Sequence, residues 1–394
     1  MPFYHILGQV PRKRHTVFRR PDGGLYSEQL MGNEGFTGPS SLLYHIHPPT
    51  TIKSVRRVKE TPYEKDADLA LRHRHFRTRN LQPKGGSPTL DRIPLLFNAD
   101  IAMLWSEPDV NDEHFFRNAQ ADEVVYVAEG AGMLESQFGY LAIKPGDYVV
   151  LPRGIMHRWR FAGAAKLLIM ESRGYVRPPA RYRTEYGQII EGAPYSERDF
   201  RRPTELTTFD EKGDFPIIVK QYNGLTEMVL DHHPFDVVGW DGFFYPWAFN
   251  INDFEPIVGR IHQPPPVHQT FQGDGFVICS FCPRPYDFDP LAVPAPYAHS
   301  NVDSDEVLFY ASSEFMSRKG IEYGSITHHP DGLPHGPHPG RTEASIGAKA
   351  TNELAVMMDS FRPLHVAKAV LAAEDKDYYR SWIEAGDGFN PPTS

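Results

Sequence analysis

The chain has 394 residues, of which 36 are Pro and 32 are Gly. This density of helix-breaking residues leaves little room for long helices, whereas the length allows a sizeable core and two domains. The formal charge of −9 argues against nucleic acid as a partner, and two Cys exclude a disulfide framework. No apolar run reaches the roughly 20 residues of a membrane span. The N-terminal charges follow the apolar part, unlike a secretory signal, so we expect a cytoplasmic protein.

Short runs with β-type composition recur along most of the chain. Examples are residues 124–127, 148–151, 165–170, 215–219 and 306–310, most of which are bounded by Gly, Pro or Asp. Few helices beside many short strands predict a mainly β protein built from sandwiches or barrels.

Two segments depart from this β pattern. Residues 175–202 are polar and Arg-rich, and we expect a long loop or connector there. Residues 367–382 have the apolar spacing of a helix near the C-terminus.

A weak internal repeat is the most informative feature of the sequence. The pattern G-x5-P-x-G-x2-H occurs at 146–157 and again at 324–335. Each copy is preceded by N-x4-E, at 118–123 and at 301–306. Gly and Pro shape turns between short strands, and inward-facing residues alternate along each strand. The repeat therefore predicts two similar barrels, each directing a His and a Glu inward.

This arrangement resembles the cupin pattern, which implies a bicupin made of two jelly-roll barrels with a few short helices. We expect an N-terminal β domain with a degenerate barrel at 1–250. A C-terminal catalytic barrel follows at 251–394.

The first copy of the repeat is poorly equipped to bind a metal. Phe116 stands where the second copy has His299, so Glu123 and His157 are the remaining donors. His114 lies two residues from Phe116 on the same side of a regular strand and is an alternative donor. We interpret the first half as a scaffold.

The second copy retains His299, Glu306 and His335. Two imidazoles and one carboxylate leave three positions open on iron, as an oxygenase needs for its substrate and O2. Asn301 occupies the place of a further cupin His and is a weak ligand. The repeat aligns Glu306 with Glu123, so we choose Glu306 as the carboxylate. Asp305 would take this role if a bulge shifted the strand by one residue. The opposing interpretation makes both histidines solvent-facing loop residues in a Pro-rich stretch.

Longer segments resemble homogentisate 1,2-dioxygenases. The matching segments are 25–32 (LYSEQLMG), 35–39 (GFTGP), 43–46 (LYHI), 233–251 (HPFDVVGWDGFFYPWAFNI), 296–301 (PYAHSN), 333–337 (LPHGP) and 375–382 (DKDYYRSW). Together these segments touch most of the chain.

The resemblance implies an Fe(II) dioxygenase that opens the ring of homogentisate, a small aromatic acid, with O2 to give maleylacetoacetate. This reaction belongs to tyrosine and phenylalanine breakdown. The family's iron ligands fall on His299, Glu306 and His335, and its acid/base histidine falls on His262. In the family Glu lies six residues after the first His, the spacing of Asp305 here, so the carboxylate stays open. Family members assemble as trimers that pair into hexamers, so we expect a homo-oligomer.

Residues 312–327, a stretch that helps to hold the substrate in the family, depart most from the family's sequence. Tyr297, His329 and His335 are candidate substrate contacts. The cations that could receive a substrate carboxylate are Arg260, Arg284, Arg318 and Lys319. Alternatives are a dioxygenase for gentisate or unsubstituted hydroquinone, a sugar-phosphate isomerase, and a non-catalytic metal-binding bicupin.

Overall fold

The computed structural model describes residues 3–35 and 37–383, so the outer ends of the two expected domains lie outside the described residues. In chain order the first strands are β1 (His5–Gly8), β2 (Ser27–Gly32), β3 (Ser40–His45), β4 (Ile52–Glu60), β5 (Arg74–Arg77), β6 (Ile93–Phe97), β7 (Ile101–Ser106), β8 (Phe115–Asn118), β9 (Asp122–Glu129), β10 (Gly132–Ser136), β11 (Gly139–Ile143), β12 (Asp147–Leu151), β13 (Met156–Phe161) and β14 (Lys166–Ser172). They are followed by β15 (Phe200–Arg201), β16 (Lys212–Gln221), β17 (Gly224–His232), β18 (Val237–Gly242), β19 (Trp247–Asn250), β20 (Gln269–Gly273), β21 (Phe276–Phe281), β22 (Arg284–Pro285), β23 (Asp305–Tyr310), β24 (Ser325–His329), β25 (Ala350–Thr351), β26 (Ala355–Ser360) and β27 (His365–Val366).

Helical segments are short. The helix α1 spans Arg341–Ser345, and 3-10 helices span Thr78–Asn80, Ala180–Tyr182, Glu197–Asp199, Ile251–Asp253, Pro265–His268, Lys368–Ala373 and Tyr378–Arg380. The prediction of a mainly β chain with few helices is confirmed. No helix in the described ranges is long and apolar enough to cross a membrane.

The first barrel is formed by two large sheets. One has the strand order β11-β10-β13-β8-β16-β17-β4, and the other has the order β15-β19-β12-β9-β14-β7-β6-β27. Leu134 and Trp159 from the first sheet share a buried core with Val125 and Ile169 from the second. Alternation along each strand directs these apolar side chains inward. A separate four-stranded sheet has the order β1-β18-β3-β2 and combines strands from the start of the chain with β18.

The second barrel contains a sheet of order β20-β21-β26-β23-β24-β5 and the small pair β22-β25. Strand β5 comes from the N-terminal part of the chain, while β27 from the C-terminal part pairs with β6 of the first barrel. Phe309 of the second barrel packs against Trp105 and Tyr126 of the first, with ring centroids 5.5 and 6.0 Å apart. The domain boundary at 250/251 stays a prediction. Each barrel includes a strand from the other side of that boundary, β5 in the second barrel and β27 in the first.

The segment expected to form a C-terminal helix divides into two 3-10 helices. Between them, Glu374 has extended backbone and forms an isolated bridge with Phe76 of β5. Its carboxylate lies 3.3 Å from Arg72 and 3.4 Å from Arg74. These contacts outweigh the local helical preference. The connector expected over 175–202 is irregular except for two 3-10 helices and the short strand β15.

Candidate metal centre

The two copies of the sequence repeat adopt the same turns in both barrels. The first glycine of each motif, Gly146 and Gly324, has φ of +86° and +80°. The second, Gly154 and Gly332, has φ of +86° and +72°. Other residues rarely adopt these values, so glycine is required where each turn redirects the chain.

Strand pairing brings the motif histidines opposite the residues that the repeat predicts. His157 pairs with Phe116 across β13 and β8. His335 pairs with His299 through an isolated antiparallel bridge. Phe116 and His299 therefore occupy equivalent positions in the two barrels.

The acidic residue before each glutamate has a structural role. Asp305 accepts backbone hydrogen bonds from Asp331 (2.9 Å) and Leu364 (2.8 Å), and His328 Nε2 lies 2.8 Å from its Oδ2. Asp122 accepts the equivalent pair of backbone bonds in the first barrel. The Asp305 carboxylate thus joins two loops, and Glu306 is the carboxylate that faces the histidines.

His299, Glu306 and His335 form a compact cluster whose potential ligand atoms all lie within 4.8 Å of one another. His299 Nε2 is 3.6 Å from Glu306 Oε2, and His335 Nε2 is 3.3 Å from Glu306 Oε1. The Nδ1 atoms lie near backbone carbonyls, 3.4 Å from Tyr297 O and 3.2 Å from Leu333 O. Hydrogen bonds from Nδ1–H fix the tautomer that leaves Nε2 free to bind a metal.

These side chains fit a divalent metal ion. Nitrogen and oxygen ligands about 2.1 Å from a metal, in adjacent octahedral positions, lie about 3 Å apart, close to the distances found here. Within the described residues, the buried Nε2 of His335 has no hydrogen-bond partner, as expected for a ligand atom. Burial alone would raise the pKa of Glu306, but the surrounding histidines lower it well below its usual range, so the carboxylate is ionised. Two imidazoles and one carboxylate with open positions are typical of non-haem Fe(II) oxygenases.

His329 lies behind the cluster. Its Nδ1 donates to Glu306 Oε1 at 2.8 Å, and its ring stacks on His335 with centroids 4.4 Å apart. Burial lowers the pKa of His329 well below its usual value, so the ring is neutral. His329 is fully buried and does not line the neighbouring cavity. Its role as a substrate contact stays a prediction, and its observed contacts orient Glu306.

A cavity of about 170 Å³ opens onto the cluster and is lined by His299 and Glu306. It is smaller than sites for drug-sized ligands, as expected for a molecule with a single ring. Tyr297 and His262 also line it, with ring centroids 5.2 Å apart. His262 Nδ1 lies 3.8 Å from Asp287 Oδ2, and its side chain is 47% exposed. The structure thus brings His262 and Tyr297 to the same cavity as the cluster.

In the first barrel, a guanidinium takes the place available to a metal in the second. Arg92 forms a bidentate ion pair with Glu123 at 2.8 and 3.0 Å. Burial would raise the pKa of Glu123, but Arg92 outweighs it and lowers the pKa to about 2. His114 instead lies 2.8 Å from Thr89 Oγ1, away from this pair. These contacts support the interpretation of the first barrel as a scaffold.

A further acidic residue near the cluster was not identified from the sequence. Asp359 of β26 pairs with Glu306 of β23, and its Oδ1 is buried without a hydrogen-bond partner in the described part of the chain. Burial and the nearby Glu306 raise the pKa of Asp359 to about 8. Glu171 holds the equivalent position in the first barrel, opposite Glu123. The similar strings Met-Glu-Ser (170–172) and Met-Asp-Ser (358–360) are the sequence feature that could have identified these two acidic residues as equivalent.

Two connected β barrels with matching turns, one of them carrying a His-Glu-His cluster, define a bicupin with one candidate metal centre. Residues 98–251 match the family model described as the homogentisate 1,2-dioxygenase N-terminal domain. A provisionally named dioxygenase of Saccharolobus solfataricus is 43% identical, covering 97% of this chain and 99% of that protein. The homogentisate 1,2-dioxygenase of Caenorhabditis elegans is 26% identical, covering 94% of this chain and 91% of that protein.

The chain belongs to the homogentisate 1,2-dioxygenase family. Among solved structures, a cupin 2 conserved barrel domain protein from Leptotrichia buccalis covers 76% of this chain and 99% of its own. It is 9% identical in sequence, with a TM-score of 0.35. Family membership supports an oxygenase with a metal cofactor.

Proposed function

We propose that the protein is an Fe(II)-dependent dioxygenase that cleaves the ring of homogentisate with O2 and forms maleylacetoacetate, a step of tyrosine and phenylalanine breakdown. The observation that carries this proposal is the cluster of His299, Glu306 and His335, of which His299 and Glu306 line a small cavity. Both atoms of O2 enter the product, so one homogentisate and one O2 are consumed together.

In this proposal His299, Glu306 and His335 would hold the iron. Fe(II) supplies the Lewis acidity that favours an ionised phenol and the redox chemistry that activates O2. His329 keeps Glu306 in place through its 2.8 Å hydrogen bond, because a neutral, buried imidazole donates to one carboxylate oxygen only.

His262 is the proposed general base. It lines the cavity, and an imidazole can accept a phenol proton and return it later. Asp287 Oδ2 lies 3.8 Å from His262 Nδ1. Tyr297 packs edge-on against His262 and offers a hydroxyl to the substrate from the same wall.

The proposal is tested by reconstituting the protein with Fe(II) without oxygen and then adding homogentisate and air. We expect one O2 to be consumed per homogentisate, together with rising absorbance from the ring-opened dienone. Gentisate and unsubstituted hydroquinone serve as competing substrates. One iron per chain without O2 uptake on any of these phenols would contradict the proposal and favour a non-catalytic bicupin.

The variant His262→Gln tests the proposed base. We expect kcat to fall by about 10²–10⁴-fold while the iron content stays unchanged. His15→Gln is a matched control, because His15 is an exposed histidine whose Nδ1 contacts Glu28 in the N-terminal region. If His262→Gln keeps full turnover, His262 is not the base.

We further propose a cytoplasmic location and a homo-oligomer, a trimer or hexamer, by analogy with the family. Light scattering of the purified chain gives the oligomeric state directly, and a monomer at micromolar concentration would contradict that expectation.

A further inference from the structure

A buried guanidinium lies beside the candidate metal centre. Arg318 is 6% exposed and lines the same cavity as His299 and Glu306. It donates a hydrogen bond from Nη1 to Gly336 O, and its guanidinium carbon is 5.7 Å from the centre of the Trp382 ring. Its Nε has no hydrogen-bond partner in the described part of the chain. The group is therefore held in the cavity wall with part of its donor capacity unused.

The charge of Arg318 is not balanced by an ion pair. Burial alone would lower its pKa, but Tyr378, Tyr310 and Glu306 outweigh burial and raise the pKa, so the group stays charged. Within residues 3–35 and 37–383, no carboxylate lies at ion-pair distance from Arg318, and the oxygens of Glu306 are held by histidines. A buried charge without a partner is costly, so a group of opposite charge is favoured next to it.

The other cations considered from the sequence are already occupied or lie outside the cavity. Arg284 lines the cavity, but its Nη2 lies 2.8 Å from Glu353 Oε1. Arg260 is 76% exposed and pairs with Asp289 at 2.8 Å. Lys319 is exposed and donates to a backbone carbonyl. In the described chain, Arg318 is thus the arginine of this cavity wall whose charge has no carboxylate partner.

We propose that Arg318 is the specificity-determining residue that receives the carboxylate of the substrate, so that the preference of this site for an acid over an uncharged analogue depends on its guanidinium. This inference rests on the proposed function, because it assigns a residue to the recognition of the substrate named there. Metal bound to Glu306 would take up the negative charge of that carboxylate, and a substrate carboxylate would then supply the counter-charge for Arg318. A guanidinium presents several N–H donors in a fixed fork that suits a carboxylate.

The test compares phenylacetate with methyl phenylacetate, which share the aromatic ring but differ in charge. Binding of each to the anaerobic, iron-loaded protein is measured by calorimetry, and the ratio of the two affinities is the readout. We expect the parent protein to prefer the acid and Arg318→Gln to lower that preference at least tenfold. Arg318→Lys should retain part of it, because the charge remains.

Lys319→Gln is the matched control, since it removes one positive charge at the next residue but outside the cavity wall. It should leave the preference for the acid unchanged. An equal fall in Lys319→Gln would show a general effect of charge and overturn the assignment. Loss of iron in Arg318→Gln with an unchanged affinity ratio would mean that Arg318 positions the His335 segment through Gly336, and this would also overturn it.

The two proposals fail separately. Phenylacetate has no hydroxyl groups, so its binding does not depend on ring cleavage. Absence of O2 uptake with homogentisate would contradict the proposed reaction and leave charge recognition standing. An unchanged acid preference in Arg318→Gln would contradict charge recognition and leave the reaction standing.

Discussion

The two barrels have the same framework and differ in what lies at the centre. Each has a motif histidine whose Nδ1 lies near the carbonyl two residues earlier, 3.0 Å for His157 and 3.2 Å for His335. Each has a glutamate facing that histidine. In the first barrel the guanidinium of Arg92 pairs with this glutamate. In the second barrel the glutamate lies with His299 and His335 in a cluster that could hold a metal ion.

From this difference we infer that the buried glutamate of each barrel needs a positive charge beside it. A glutamate buried in a barrel is costly unless it is paired. A guanidinium supplies the positive charge permanently and leaves no coordination position for a substrate. A bound metal would supply the charge and keep coordination positions open for chemistry.

The largest effect is expected from removing the motif histidine. His335→Ala should lose iron and lower turnover by at least about 100-fold, because a ligand atom is removed. His157→Ala, the equivalent change in the first barrel, should destabilise the fold but leave one iron per folded chain. Iron analysis and O2 uptake of both variants check this. Equal loss of iron in both would contradict the division of roles.

A second comparison concerns the residue after each histidine. A Cβ added to Gly336 would lie 2.6 Å from Ala298 Cα, so Gly336→Ala should push apart the segments that carry the two histidines. We expect metal affinity to fall by about 10–100-fold, measured by competition with a chelator. The first barrel has Arg158 at this position.

The control for this change is Gly192→Ala, because a Cβ at Gly192 meets no atom within 4 Å. It should leave metal affinity unchanged. Unaltered affinity in Gly336→Ala would show that the two ligand segments do not depend on their close approach.

A third prediction concerns the cation of the first barrel. Arg92→Met would leave Glu123 and Glu171 buried without this partner, so the free energy of unfolding should fall by about 3–5 kcal/mol. Urea denaturation measures the change. Turnover per bound iron should stay the same, since Arg92 lies in the other barrel. A variant with unchanged stability would argue against a structural role of the pair.

The smallest effect is expected at the rival carboxylate. Asp305→Asn should cost about 1–3 kcal/mol of stability, because its contact with His328 and one backbone bond weaken. It should keep iron, whereas Glu306→Gln should lose it. Iron analysis distinguishes the two, and loss of iron in Asp305→Asn alone would reassign the metal ligand.

Much of this framework could be predicted because spacing determines strand register. Side chains alternate along a strand, so a fixed spacing between glycine turns and histidine places His335 opposite His299. The same logic identified Phe116 as the interruption in the first barrel. The preference for Glu306 over Asp305 also followed from the repeat. Glu306 lies beside His299 and His335 in the structure, and its role as a metal ligand stays a prediction.

Other features could not be predicted, since they depend on contacts between distant segments. Arg92 lies outside the repeat, and spacing does not show that its side chain reaches Glu123. No local feature of the sequence predicts that β5 joins the second barrel either. Arg318 lies in the loop between β23 and β24, where sequence composition does not show which cations face a cavity.

The most direct measurement is the anomalous diffraction at the iron edge from crystals prepared with Fe(II) without oxygen. The account predicts one strong peak per chain, about 2 Å from His299 Nε2, His335 Nε2 and a Glu306 oxygen. A peak next to Glu123 and His157 in the first barrel, or no peak among the three side chains of the second, would contradict it.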